Sequence, residues 1–136
     1  MRKTIVFALC SALLLGCTEA DLREFGRDVE EALDDAGAAL EDLAAEAEGP
    51  IREAAEEALD AAAEAREASR EFEENPSAET RKALEEAQQR VDDAARELEG
   101  LVDSAPEGVR SSVERALDAL REIGRRIDRQ LDEEGS

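Results

Sequence analysis

Carboxylates dominate the groups in this chain that could do chemistry. Asp and Glu number 37 against 17 Lys and Arg in 136 residues, and histidine, tyrosine and tryptophan are absent. Without imidazole, the usual general base and the usual metal-binding nitrogen are missing. A carboxylate-bridged di-metal bundle would need Glu-x-x-His pairs, so that chemistry fails at once. A serine–lysine pair would have to use Lys82, and no neighbour in the sequence suggests an activated amine, so Lys82 reads as a solvated surface charge. Asp92-Asp93 and Asp132-Glu133-Glu134 would attract divalent cations only weakly and without specificity. They lack the neutral carbonyl ligands and the tight turn of a calcium loop. No glycine-rich phosphate loop or EF-hand spacing occurs. The expectation is therefore no catalytic residue, no cofactor and no specific metal site, with the acid runs as solvated faces.

One cysteine carries a more definite chemistry. Arg2 and Lys3 precede an apolar run of eleven residues, Ile5 to Leu15, which contains Cys10 and ends in Leu14-Leu15-Gly16-Cys17. About 20 residues are needed to cross the hydrocarbon core, so the run is too short to span a membrane, but it suits the hydrophobic part of an export signal. Leu14, Gly16 and Cys17 together resemble the lipobox of bacterial lipoproteins. That resemblance covers residues 1–17. It implies diacylglycerol on the Cys17 sulfur, cleavage between Gly16 and Cys17, and acylation of the new amino terminus. One acyl chain anchors marginally and two or more hold stably, at about 0.8 kcal/mol per buried methylene. Thr18 follows the cysteine where aspartate would mark inner-membrane retention in diderm lipoproteins. The resemblance thus implies an envelope protein, on the outer membrane facing the periplasm rather than on the inner membrane.

Beyond residue 16 the chain holds all 37 acids but only 15 bases, a net charge of −22, and Lys82 is its only lysine. Such a chain repels phosphate backbones, which excludes nucleic-acid binding. Basic proteins and divalent cations are the partners this charge attracts. The acid excess reads first as a solubility device, as for high salt, and second as a specific acidic docking face. Once Cys17 is lipidated no thiol remains, so packing alone must stabilise the fold. Leu, Ile, Val and Phe make up only 21 of the 120 residues from Cys17 onward. That is below the roughly one-fifth level under which a highly charged chain is suspected of disorder. Ala, Glu, Arg and Leu, all strong helix formers, argue for helix throughout.

Proline and glycine divide residues 17–136 into four similar pieces. The breaks are Gly49-Pro50, Asn75-Pro76-Ser77, and the stretch from Gly100 to Gly108 around Ser104-Ala105-Pro106-Glu107. Proline blocks helix continuation and disfavours helix in the residue before it. Helices are expected at about 20–48, 51–74, 77–103 and 105–133. Asn75 or Ser77 should cap the third, and Ser104 with Glu107 fits a capping box for the fourth.

Apolar residues recur at three-four spacing in every piece. The first seam is Leu22, Phe25, Val29, Ala32, Ala36, Ala39 and Leu43, widened by Leu33 and Leu40. The second, mostly alanine, is Ile51, Ala55, Ala58, Ala62, Ala65, Ser69 and Phe72. Leu84, Ala87, Val91, Ala94, Leu98 and Leu101 form the third. The fourth is Val109, Val113, Ala116, Leu120, Ile123 and Ile127, with Leu117 and Leu131 beside it. One seam per helix, equal lengths and short connections predict an all-α domain of four amphipathic helices, packed as an antiparallel up-down bundle or as coiled-coil hairpins. Closure would set the first helix, with 12 acids and 2 bases in residues 17–50, beside the last, with 8 acids and 6 bases in residues 104–136.

The sequence thus points to a non-enzymatic, lipid-anchored envelope protein acting as a spacer, scaffold or protein-interaction module. Its partners would be the membrane through Cys17, and another protein or a second copy through the alanine-rich seams. Two alternatives share the composition. Proline-punctuated amphipathic helices resemble exchangeable apolipoproteins, which implies lipid-surface or apolar-ligand binding, although basic residues flanking the seams are scarce. An acidic, partly disordered chaperone-like or cation-buffering protein is the other.

Overall fold

The computed structural model describes residues 27–135, and within them the chain forms a four-helix bundle without strands. Helix α1 covers 27–46 of the described residues. It is followed by α2 (Pro50–Glu74), α3 (Ala78–Leu101) and α4 (Glu107–Gly135). Side-chain contacts show successive helices to be antiparallel. Asp34 and Glu30 on α1 meet Arg66 and Arg70 on α2, so one number falls as the other rises. Glu99 and Arg81 on α3 meet Arg121 and the Leu131 carbonyl on α4 in the same sense. Ser112 and Arg126 of α4 reach Glu46 and Asp28 of α1, which closes the ring. The arrangement is up-down-up-down, with α1 diagonal to α3 and α2 diagonal to α4.

The expected seams are the observed core. Val29, Leu33, Leu40 and Leu43 of α1, Leu84, Val91 and Leu98 of α3, and Val113, Leu120, Ile123 and Ile127 of α4 supply the large buried side chains. Helix α2 adds Ile51 and Phe72 near its ends and, between them, Ala54, Ala55, Ala58, Ala61, Ala62, Ala65 and Ala68. Leu101 and Val109, placed on seams by spacing, are only half-buried because they lie at helix ends. Leu22 and Phe25 lie outside the described residues. The alanines of these seams lie within the chain's own core.

Each turn has a local cause. Gly49 takes φ 66°, a left-handed conformation that suits glycine, and Pro50 follows as the first residue of α2, where its missing amide costs nothing. The Asn75 amide donates to the Glu71 carbonyl and ends α2. Ser77 caps α3: its hydroxyl accepts from the Thr80 amide at 3.1 Å, and the Ser77 amide donates to Thr80 Oγ1 at 2.9 Å. That reciprocal pair explains why α3 begins at Ala78.

The α3–α4 turn corrects the sequence reading. Ser104 does not cap α4. Its hydroxyl turns back and donates to the Leu101 carbonyl at the end of α3. The Pro106 carbonyl accepts from Val109 and Arg110, so Pro106 itself precedes the first helical residue, Glu107. Ser104 lies two residues too early to reach the amides of the first turn.

These caps make a paired test. Ser77→Ala should lower stability by about 1 kcal/mol, within the usual 0.5–2 range for a lost cap. Ser104→Ala should change it by less than about 0.5 kcal/mol, as for an ordinary surface site. Urea unfolding midpoints measure both. A larger loss at Ser104 than at Ser77 would contradict the capping assigned here.

Candidate functional site

The residues expected to carry chemistry are dispersed. Gly16 and Cys17 lie outside the described residues, as does Phe25. Lys82 is exposed on the outer side of α3, and Phe72 is 1% exposed inside the core, with no face free for a ligand. Asp132 is exposed at the end of α4. Among the described residues, no three acids are grouped so as to hold a metal ion, and no helix is long and apolar enough to cross a membrane.

Asp92 and Asp93 are neighbours in the chain but have different surroundings. Asp93 lines the groove between α2 and α3 and has Arg96 3.8 Å away. Asp92 faces α4: a Cβ built on Gly124 would sit 3.1 Å from its Oδ1. The absence of a side chain at the buried Gly124 therefore leaves room for this carboxylate against the α4 backbone. The Gln88 amide bridges the same spot, donating to the Gly124 carbonyl at 3.1 Å and to Asp128 Oδ1 at 2.6 Å. Burial, and next the charge of Asp128, push the Asp92 carboxyl above its ordinary range.

Glu122 has the opposite environment. Arg125 holds it with two bonds, at 2.7 and 3.1 Å, and Arg126 Nε donates to its other oxygen at 2.9 Å. Hydrogen bonds from Arg125, then from Arg126, lower its pKa. The same Arg126 reaches over α1 and donates to the Asp28 carbonyl at 2.7 Å. Glu122 thus steadies the arginine that ties α4 to α1.

A groove with a consistent chemistry runs between α2 and α3. Ala61 and Ala94 form its floor, and Glu57, Asp60, Glu64, Asp93 and Glu97 rise around it, enclosing about 330 Å³. It continues past Arg90 over Ala68, Ala83 and Ala87, between Glu67 and Glu71 on one side and Glu86 on the other. Arg90 is the only cation lining either part, and it pairs with Glu64 at 2.6 Å. The groove is shallow because alanines meet at the seam, and walled because long acids flank them. Spacing had marked Ala87 and Ala94. It had passed over Ala54, Ala61 and Ala68, although their seven-residue recurrence was a readable signal.

A second feature missed in the sequence is buried. Ser69 Oγ, on the expected seam, donates to Oε1 of Gln130 at 3.0 Å, and both side chains are within the core. The Gln130 amide nitrogen finds no partner among the described residues. Gln130 continues the heptad track of Ala116 and Ile123, but a polar residue is invisible to an apolar pattern.

No family model matches the chain, and neither a curated protein nor a solved structure does. The site must therefore be read from its own geometry. Its titratable groups among the described residues are carboxylates, arginines and Lys82. Such a set can attract cationic surfaces and bear hydrogen bonds.

Asp92 and Glu122 respond to pH in opposite directions. A raised pKa at Asp92 means stability that is present at acid pH and is lost as pH rises through the folded-state value. Asp92→Asn should thus raise Tm at pH 7, and that gain should vanish below about pH 4. Glu122 contributes stability above its ordinary pKa, lost as pH falls through its lowered value. Glu122→Gln should lower Tm at pH 7 by roughly 1–4 °C, as for partly exposed ion pairs, and become neutral in acid. Thermal melts of both variants across pH 3–7 check the signs.

Proposed function

We propose that this chain is a non-enzymatic, lipid-anchored helical bundle of the bacterial envelope, held by Cys17, whose α2–α3 groove docks a basic segment of another protein. The interaction part of this reading rests chiefly on the groove. Alanines along its floor leave backbone-level space for an approaching helix or extended strand, as small residues do wherever helices pack closely. Eight carboxylates surround that floor with Arg90 as the single cation, and Arg90 is engaged by Glu64. Opposite charge steers encounter and sets orientation more than it sets final affinity. An arginine-rich partner would also relieve the repulsion among these acids.

The anchor rests on residues 1–17: the short positive start, the apolar run and Leu14-Leu15-Gly16-Cys17. It supports attachment at the outer membrane. The bundle would then act as a spacer that presents the groove in the periplasm.

Two independent measurements test the two parts. Intact-mass analysis of the protein from its native envelope should find residues 1–16 removed and Cys17 carrying diacylglycerol and an acyl chain. A bare cysteine or a retained leader ends the anchor reading. A photo-crosslinker at Glu64, inside the groove, should capture a basic protein in the envelope, whereas one at the exposed Ser111 on α4 should not. Equal capture from both positions, or none from Glu64, removes the docking role without touching the anchor.

A further inference from the structure

The walls of the α2–α3 groove repeat along its length. On α2, Glu57, Glu64 and Glu71 recur every seven residues, and Asp60 and Glu67 keep the same interval. On α3, Glu86 and Asp93 are seven apart, as are Arg90 and Glu97. The floor has this period too, with Ala61 and Ala68 on α2 and Ala87 and Ala94 on α3.

The groove is therefore two like compartments in line. One lies over Ala61 and Ala94, between Glu57, Asp60 and Glu97. The other lies over Ala68 and Ala87, between Glu67, Glu71 and Glu86. Moving seven residues up α2 and seven down α3, as antiparallel helices require, carries the positions lining the first onto those lining the second. Glu64 and Arg90 line both, and their ion pair marks the border. Seven residues of helix rise about 10.5 Å, which sets the distance between the compartments.

Charges flanking a seam between two helices commonly differ in sign across it, because opposite charges there tie the helices together. Here both walls are acidic, and Arg90–Glu64 crosses between them. Arg90 reaches Glu64 at 2.6 Å, so one guanidinium is seated in the groove from within the chain. The acids on either side of it face each other without such a cation.

We propose that the segment docked here is an amphipathic α-helix carrying arginine or lysine at seven-residue spacing, with one cation in each compartment on either side of the Arg90–Glu64 pair. This rests on the groove being the docking site proposed above, and it names the form of the partner.

A helix laid along the groove advances in step with α2 and α3, since all three share one rise per residue. Its side chains return to the same face every seven residues, so a cation in the first compartment puts the next in the second. Alanines on the floor let its backbone come close. An extended strand returns to one face every two residues, about 6.6 Å, and falls out of step with the compartments. The five donors of a guanidinium can bond carboxylates of both walls at once.

Three alanine-rich peptides of about 20 residues, long enough to form helix, test this against the full chain by titration calorimetry in low salt. The first carries two arginines seven residues apart. In the second they are nine apart, which puts them on opposite faces of a helix. The third is the first with a central proline that breaks the helix. The first should bind roughly 3–10-fold tighter than either of the others, the scale of one or two exposed ion pairs. Asp60→Asn/Glu97→Gln neutralises exposed acids of one compartment and Glu67→Gln/Glu86→Gln those of the other. Each double variant should bring the first peptide down to the level of the second. Equal binding of all three by the native chain would overturn the helical partner and leave a basic docking groove standing. A spacing preference that survives in both double variants would put the cations elsewhere and overturn it as well. No binding by any peptide would remove the docking reading itself, and this proposal with it.

Discussion

Two long helices approach closely only where the side chains between them are small, and α2 meets that condition along nearly its whole buried length. From Ala54 to Ala68 its core-facing residues are alanine. A buried methyl contributes about 0.8 kcal/mol, against 1.5–3 for a leucine, so α2 adds little stabilisation per residue. It instead lets large side chains from the other three helices fill the centre: Leu40 and Leu43, Val91 and Leu98, Leu120 and Ile123. Where α2 does carry bulk, at Ile51 and Phe72, it closes the two ends of the bundle. A modest core of this kind, without a disulfide among the described helices, leaves stability sensitive to anything that pushes the helices apart.

Charge is the main such force. With 37 acids and 17 bases, most carboxylates cannot find a cation, and the placement of arginine decides which seams are held. Arginines from α2 and α4 reach across to α1, and Glu122 organises the one from α4. The acid-rich first helix and the arginine-rich last one are neighbours, so up-down closure itself brings the opposite charges together. The α2–α3 face has no comparable supply. Its unmatched acids form the rim of the groove.

Much of the fold was legible because helical bundles write their core in a simple period. The three-four spacing identified the buried face of every described helix, and proline with glycine identified the turns. What escaped has physical reasons. Alanine occurs on both buried and exposed faces, so Ala61 and Ala68 could not be separated from Ala63 by hydrophobicity, although their heptad spacing could have done so. A serine and a glutamate three apart match a cap, but Pro106 between Ser104 and Glu107 moved the helix start beyond the serine's reach. Gln130 reads as surface in any hydropathy pattern, and only its pairing with Ser69 makes it a core residue. The acidic groove was foreshadowed by charge alone. Its location depended on which acids flank the alanine seam, and that is a tertiary property.

Connectivity also constrains how a tether at Cys17 would present the groove. Nine residues separate Cys17 from residue 27, so even a fully extended link spans no more than about 35 Å. In the antiparallel bundle, residue 27 lies at the same end as the Asn75–Ser77 turn and the last turn of α4, because Asp28 is level with Arg126 and Glu30 with Arg70. A lipid at Cys17 would therefore hold this end within that reach of a membrane, and the turns at residues 47–49 and 102–106 form the opposite end of the bundle. Helices α2 and α3 run between the two ends, so their shared groove runs along the bundle and not across it. An elongated, acid-lined track of this orientation would favour a partner segment lying parallel to the helices over one inserted end-on.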